Sequence, residues 1–460
     1  MKNDKTRAPV LKDYPLEDFT YANINEIIIE KEEHTAFATM KKKIDISLLQ
    51  NNSIVAKQYA DPLIKGESKI VIYGNGSDSI MLPKNAEYLF SNKNNPNKRF
   101  SKLEKITGLE VLNSTFAENY NYIFCGCSCI KELNLNNWNT YYLHSAEGMF
   151  SGCRSLENLK ISNFDTTSLT NAAYMFFECE SLAKLDISQW NTPNLDNTDF
   201  MFASCRKLET LKMNLTTDHV YSFLCMFQNC QSLKFINGVS FSTTAANSTR
   251  LMFSGCISLA EVPGLEKWDM ENIEDLSGMF EGCKAIHYLY LDDWKLTKAE
   301  KTVSMFEGCC ELKSIGNIKN WEPSNLLNAQ RMFLGCDKLV NLNLSNWKPS
   351  ALENTEQMFA YCSSLKRISL FNDGTDSLSN LTETFAYCES LASLDLSNWI
   401  TESSKNVTRM LYNCYSLTEL NLNGCDLGLA DGIDSMFYGC NKLFFGRFGA
   451  KNTENITITI

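Results

Sequence analysis

The stretch MFSGCRSLENLKISNF, residues 149–164, decides the fold. It joins a Met-Phe pair, a single cysteine, apolar residues at short regular spacings and a closing aromatic residue. The chain repeats the pattern as MFFECESLAKLDISQW at 175–190 and as MFASCRKLETLKMNL at 201–215, so each copy begins 26 residues after the last. A fixed period of this length indicates one supersecondary unit per repeat.

The Phe of the Phe-x-x-Cys string anchors the repeat, and Leu replaces it once in thirteen copies whose anchors stand 25 to 27 residues apart. The anchors of copies 1 to 13 are Phe124, Phe150, Phe176, Phe202, Phe227, Phe253, Phe280, Phe306, Phe333, Phe359, Phe385, Leu411 and Phe437. A degenerate copy precedes them at Leu89-Phe90. Because one copy cannot bury its own apolar face, the period predicts a solenoid of stacked copies.

The segment 181–190, SLAKLDISQW, predicts the structure of one copy. Its apolar residues alternate with polar ones, which is typical of a short strand with one buried face. All seven tryptophans fall in the aromatic position that ends this segment. We therefore expect a leucine-rich-repeat-like fold, in which each copy has a short parallel strand, a turn, and a Met-Phe pair on a short helical or 3₁₀ segment.

A cysteine follows every anchor by three residues, and this column has two interpretations. Its members are Cys127, Cys153, Cys179, Cys205, Cys230, Cys256, Cys283, Cys309, Cys336, Cys362, Cys388, Cys414 and Cys440. Single cysteines without Cys-x-x-Cys pairs argue against zinc sites, and stacked equivalent positions are poor disulfide geometry. We expect a structural ladder of small buried thiols. Cys125, Cys127 and Cys129 form one dense cluster, for which zinc or redox chemistry stays open.

Composition excludes several classes of function. The chain has 43 Lys and Arg against 54 Asp and Glu, a net charge of −11, whereas nucleic-acid binding requires a basic surface. No apolar run is long enough to span a membrane. The first residues lack the apolar stretch of a secretory signal. We expect no nucleic-acid partner, no membrane insertion and no cofactor.

The ends of the chain differ from the repeats. Residues 1–85 contain no cysteine or tryptophan but several short apolar strings, so they predict a β-rich N-terminal cap. Residues 86–445 are assigned to the solenoid. Residues 446–460 end in alternating β-branched residues, which predict C-terminal capping strands.

Two stretches carry a family resemblance, MFLGCDKLVNLNLSNWKPS at 332–350 and TFAYCESLASLDLSNWIT at 384–401. Their pattern resembles the BspA-type leucine-rich repeat family of bacterial surface proteins, also known as DUF285, and the resemblance extends from residue 89 to about 445. It implies a protein exposed on the cell surface or secreted, with a role in adhesion or host-matrix binding. A cytoplasmic location is the alternative, because the chain shows no leader.

Candidate binding residues are aromatic residues at outward strand positions. The seventh copy places Tyr288, Tyr290 and Asp292 there, the fifth Phe235 and the tenth Phe371. Exposed aromatic residues are favoured anchors for a partner. We therefore expect a monomeric, non-catalytic interaction protein that binds a protein or glycan. The alternatives are an intracellular scaffold, or an enzyme whose chemistry lies in the cap or at Cys125–Cys129.

Overall fold

The computed structural model describes residues 8–16, 19, 23–34, 39–61, 63–91, 100–236, 241–371, 373–397, 399–400, 403–425 and 430–443. The predicted capping strands at 446–460 lie outside these residues. The chain forms two compact units, one of residues Met1–Val220 with Ile236–Ser240, the other of Tyr221–Phe235 with Phe241–Ile460.

The first unit begins with a five-stranded sheet in the order β2-β3-β4-β1-β6. Its strands are β1 (Ile24–Glu30), β2 (Met40–Asp45), β3 (Val55–Ala60), β4 (Ser68–Tyr73) and β6 (Lys105–Thr107), and a short pair is formed by β5 (Ile80–Met81) and β7 (Leu112–Asn113). Strand β1 runs parallel to both β4 and β6, whereas β3 is antiparallel to β2 and β4.

Strand β6 belongs to the degenerate copy that precedes copy 1, so the sheet extends to the repeats. We propose that the N-terminal region caps them, because β1 pairs with β6 and protects an edge that could otherwise pair with another chain.

The numbered copies contribute short strands in parallel pairs. These are β8 (Glu132–Asn134) with β9 (Asn158–Lys160), β10 (Lys184–Ile187) with β11 (Thr210–Met213), β12 (Asn341–Asn343) with β13 (Arg367–Ser369), and β14 (Ser393–Asp395) with β15 (Glu419–Asn421). In the pair β10 and β11, Leu185 faces Leu211 and both are buried, whereas Asp186 and Lys212 are exposed. The predicted repeat fold and the alternation of its strands are confirmed.

Two aromatic columns fill each unit. Neighbouring anchor rings stack with centroids 5.2 to 5.8 Å apart, for example Phe150 on Phe176 and Phe306 on Phe333. In the tryptophan column the indole N–H donates to a carbonyl of the preceding copy, as from Trp347 to Ile318 at 2.8 Å. Stacked rings of this kind bury large apolar areas, so the columns supply much of the core.

The Met-Phe segment differs from its prediction. Among the described residues an α-helix forms there in the last copy alone (Ile433–Met436), and the 3₁₀ segments Leu109–Val111, Leu265–Lys267 and Ile318–Asn320 lie instead before the aromatic column. The other copies make hydrogen-bonded turns with a left-handed residue before the Met or its equivalent, and another before the Cys. Such residues interrupt a right-handed helix.

A second backbone ladder precedes the Met-Phe turn and was not predicted. Residues of successive copies form single parallel bridges there, such as Asn171 with Asn197 and Asn354 with Asn380. The Asn171 side chain also accepts the N–H of Ala173 at 3.0 Å, which fixes the start of the turn. Within each unit, neighbouring copies are therefore hydrogen-bonded on this side too.

Column cysteines close the inner corner of each coil. Every one is fully buried. Twelve thiols donate to the carbonyl of the preceding copy's anchor, with Sγ to oxygen distances of 3.0 to 3.4 Å. The cysteine thus combines a small volume with a weak donor that a buried carbonyl can use.

Candidate functional site

The outward strand positions of the seventh copy lie in the second unit. Tyr288 is 52% exposed and Tyr290 is 69% exposed, whereas Leu289 and Leu291 between and after them are buried. The backbone of Tyr288 bridges Ser314 of the next copy in parallel. Side chains alternate across an extended segment, so this register directs both tyrosines to solvent.

A shallow depression of about 340 Å³ adjoins the two rings. Residues of copies 6 and 7 line it, among them Glu261, Pro263, Glu266, His287 and both tyrosines. The Lys313 ammonium of copy 8 lies 5.8 Å from the centroid of the Tyr288 ring. The surface therefore offers aromatic rings, carboxylates and cations together.

Asp292 has a structural contact. Its carboxylate accepts the backbone N–H of Asn317 at 2.9 Å. It also fills the space beside Gly316, where a Cβ would lie 2.3 Å from Asp292 Oδ2 and where φ is +71°. Asp292 therefore holds the turn of copy 8, and Gly316 is the residue that this close approach requires.

The two remaining aromatic candidates are placed differently. Phe235 is 38% exposed at the position of copy 5 that Tyr288 occupies in copy 7. The prediction that Phe371 points outward is wrong, because it is fully buried between Trp347 (6.3 Å) and Trp399 (4.9 Å). Strand β13 ends at Ser369, so the chain turns and Phe371 takes the place of the missing tryptophan.

Cys125, Cys127 and Cys129 do not form one site. The segment is a turn with Gly126 at φ +76°, not the extended segment that would align the three thiols. Cys127 points to the Phe90 carbonyl, whereas Cys125 and Cys129 line separate depressions. In the described part of the chain, no three His, Cys, Asp or Glu side chains are placed to hold a metal ion.

Burial suppresses the reactivity of Cys125 and of column thiols such as Cys205. It raises the pKa of Cys125 to about 11, and that of Cys205, Cys256 and Cys362 to about 12. A thiol is nucleophilic as its thiolate. At neutral pH these groups are protonated and act as packing groups and weak donors.

Sequence reasoning missed a second group of aromatic residues, which we call the tyrosine array: Tyr361, Tyr387, Tyr412 and Tyr438 of copies 10 to 13. Successive ring centroids are 4.4, 5.5 and 5.1 Å apart. Tyr361 and Tyr438 are 45% and 48% exposed. The array lies between the anchor and the cysteine, where the sequence signal would have been tyrosine one or two residues after the anchor in four successive copies.

No helix among the described residues has the length and apolar character needed to cross a bilayer.

The repeats match a known protein family. The family described as Mycoplasma protein of unknown function, DUF285, matches residues 118–239, 247–371 and 340–446, which together exceed half of the chain. The chain belongs to this family. The matched ranges contain the anchor and cysteine columns of all thirteen copies, and the resemblance seen in the motifs is confirmed.

Solved structures of leucine-rich repeat proteins resemble this DUF285 member distantly. One is a leucine-rich repeat protein from Eubacterium ventriosum ATCC 27560. It is 12% identical, the alignment covers 85% of this chain and 93% of that protein, and the TM-score is 0.29. A leucine-rich repeat protein of Leptospira interrogans is 16% identical, with 71% and 86% covered and a TM-score of 0.23.

TLR13 in its complex with ssRNA13 also matches, at 16% identity, 81% of this chain, 70% of its own chain and a TM-score of 0.23. These scores are too low to carry any argument about ligands. Comparison with curated proteins gives no match.

Proposed function

We propose that this DUF285 protein is a non-catalytic interaction protein, and that Tyr288 and Tyr290 form the centre of its contact surface. The observation that carries the proposal is the pair of adjacent exposed tyrosines beside a depression. Tyrosine suits such a surface because it supplies a large apolar ring at low entropic cost and a hydroxyl for hydrogen bonding.

The rest of the outward face favours broad, weak polar contact. In copies 9 to 11, Asn343, Ser369 and Asp395 are the last residues of strands β12, β13 and β14, and their side chains are exposed. Copies rise about 4.8 Å each, so copies 6 to 12 provide a strip roughly 29 Å long. That length suits a protein surface, and a glycan chain is the alternative ligand. The net charge of −11 disfavours a nucleic-acid backbone.

A binding role fits the chemistry better than an enzymatic one. The column thiols are buried, and the carboxylate of Asp292 accepts a hydrogen bond from the backbone. An exposed, adaptable surface on a rigid repeat scaffold is suited to recognition. The family resemblance supports a protein on the cell surface or secreted, and adhesion to host matrix is the role we propose; a cytoplasmic scaffold is the alternative.

Adhesion to purified matrix proteins tests this proposal. The double variant Tyr288→Ser with Tyr290→Ser should weaken binding about tenfold or more, because both aromatic rings of the contact surface are removed. The melting temperature should barely change, since both side chains are exposed. Binding is measured by biolayer interferometry against immobilised fibronectin, fibrinogen, laminin and collagen, with a glycan array in parallel.

The matched control is Tyr141→Ser with Tyr142→Ser, which removes another exposed adjacent pair, from the first unit. Its affinity should equal that of the unaltered protein. The adhesin proposal fails if the unaltered protein binds no matrix protein and no glycan. The assignment of the site fails if changes at Asn343 and Asp395 abolish binding while the tyrosine variant retains it.

A further inference from the structure

The tyrosine array contains two residues in a backbone conformation that disfavours them. Tyr361 and Tyr387 have φ values of +60° and +62°. Copies 6 to 9 place glycine at this position with φ between +69° and +74°, whereas copies 3, 4, 5 and 12 hold Glu178, Ser204, Asn229 and Asn413 there with φ between +56° and +62°. A bulky L residue is strained in this region, whereas glycine is not.

Core packing does not account for these tyrosines. Tyr361 is 45% exposed, and the glycines of copies 6 to 9 sit before cysteines that are just as buried. Copies 10 and 11 therefore hold tyrosine against the backbone preference without a requirement from the interior. Because copies 3 to 5 and copy 12 carry other non-glycine residues in the same conformation, the left-handed backbone belongs to the repeat, and the partly exposed tyrosine rings are what distinguish copies 10 and 11.

The ring geometry limits what can bind. Tyr361 and Tyr387 stack face to face with planes 12° apart, and Tyr412 and Tyr438 also stack at 12°. Rings stacked in this way cover each other's inner faces. The array therefore presents ring edges, hydroxyls and the outer faces at its ends, which is a poor platform for several sugar rings lying flat.

One cation already lies against the array. The Arg409 guanidinium carbon is 5.3 Å from the centroid of the Tyr412 ring, and Arg409 Nη1 lies 3.6 Å from Glu383 Oε1. Gln357 donates to the other oxygen of Glu383 at 2.8 Å. The combination of a ring and a carboxylate around a guanidinium is the arrangement that cation–π recognition uses.

Further carboxylates border the array. Glu389 directly follows Cys388 and is exposed, and Tyr415, 40% exposed, holds the same position in the next copy. Burial and then the charge of Glu389 raise the pKa of Tyr415, so this carboxylate lies close enough to act on that ring. Asp337 occupies the corresponding position of copy 9. A partner with positive charge meets complementary groups here.

We propose that the tyrosine array is a second interaction surface, which binds an extended, arginine-bearing segment of a protein partner. The segment's guanidinium groups would contact the outer tyrosine faces and pair with Glu389 and Asp337, as Arg409 contacts Tyr412 and Glu383. This surface lies between anchor and cysteine, not on the strand face, and its proposal does not depend on Tyr288 and Tyr290.

The test removes the rings in favour of the residue that the backbone prefers. The variant Tyr361→Gly with Tyr387→Gly restores the glycine of copies 6 to 9, so the fold should melt at the same or a higher temperature. The probe is a fluorescein-labelled Gly-Arg repeat peptide, followed by anisotropy. Binding should weaken roughly tenfold or more in the variant, since two aromatic contacts are lost.

Controls separate ring recognition from charge alone. A Gly-Glu repeat peptide should not bind, and a Gly-Lys peptide should bind more weakly than Gly-Arg, because guanidinium stacks on aromatic rings better than ammonium. The Tyr141→Ser, Tyr142→Ser protein should bind Gly-Arg normally. The variant Glu389→Gln should lower affinity and reduce its dependence on salt.

Several results would overturn the proposal. Binding of Gly-Arg to the glycine variant as tightly as to the unaltered protein would leave only non-specific attraction to acidic groups. A fall in melting temperature would assign the tyrosines to the core. A neutral glycan that binds the array while Gly-Arg does not would replace the arginine-bearing segment as the ligand.

Discussion

Copies 6 to 8 and copies 9 to 12 of the second unit share their interior but not their outward side. The anchor side chains of both regions are fully buried, as are their column cysteines. Copies 9 to 12 add the paired strands β12 to β15, whereas copies 6 and 8 have the 3₁₀ segments Leu265–Lys267 and Ile318–Asn320 instead. The buried columns, not the outward strands, are therefore the constant part of the fold.

Local sequence explains why copies 6 and 8 lose the strand without losing the core. Pro263 has no N–H to donate, and Gly316 adopts a left-handed conformation, so neither continues a ladder. Leu265 and Ile318 are nevertheless buried, and their carbonyls accept the indole N–H of Trp294 and Trp347 at 3.0 and 2.8 Å. The loss of the strand therefore changes the side where Tyr288 and Tyr290 are exposed and leaves the buried columns in place.

Of the changes that test this comparison, alkaline pH should lower the free energy of unfolding most, and it should lower it equally in copies 6 to 8 and in copies 9 to 12. Burial raises the pKa of Cys256 in copy 6 and Cys362 in copy 10 from the ordinary 9.0 to about 12. The unfolded chain therefore loses these protons first, so the stabilisation is complete below about pH 9 and is lost as pH rises toward 12. At pH 10 each such thiol should contribute about 1.4 kcal/mol less to the free energy of unfolding than it does at neutral pH.

Because the column has many members, we expect cooperative unfolding between about pH 9 and 11. Circular dichroism and tryptophan fluorescence, followed together during the titration, check this. Hydrogen exchange at a pH just below the transition shows whether the two regions open together. Constant stability up to pH 11 would mean that the thiols are hydrated in the folded protein.

Truncating one anchor in each region sharpens the comparison. Phe306→Ala in copy 8 and Phe333→Ala in copy 9 should each lower the free energy of unfolding by about 3–5 kcal/mol, because both rings are fully buried and stack on neighbours. Urea denaturation measures both. A loss at Phe306 much smaller than at Phe333 would show that copies without strands are loosely packed.

Sequence periodicity predicted the interior well because the physical demand on it is the same in every copy. The anchor, cysteine and tryptophan columns each recur at a fixed place in the period, and the structure buries them. The prediction for Phe371 was wrong because its outward orientation was inferred from the alternation of side chains along a strand, which applies only as far as the strand extends. Strand β13 ends at Ser369, two residues too early.

The turns were less predictable than the strands. A Met-Phe pair is compatible with a helix by composition, and only the backbone shows the left-handed residues on either side of it. Asp292 looked like a surface group, but its contact with Asn317 depends on how copy 8 bends at Gly316. The tyrosine array was not predicted because its members do not form one sequence column: Tyr361 and Tyr387 stand two residues after their anchors, whereas Tyr412 and Tyr438 stand one residue after theirs.

Thiol accessibility tests most directly whether the same buried columns hold copies 6 to 8 as hold copies 9 to 12. Native protein is treated with iodoacetamide, digested, and each cysteine is quantified by tandem mass spectrometry. Cys129 and Cys310, which are partly exposed, should react, and the column cysteines of both regions should stay equally protected. Cys309, beside Cys310 but fully buried, is the internal control. Labelling of Cys256, Cys283 and Cys309 at the rate of Cys310, with Cys336, Cys362 and Cys388 protected, would contradict the account.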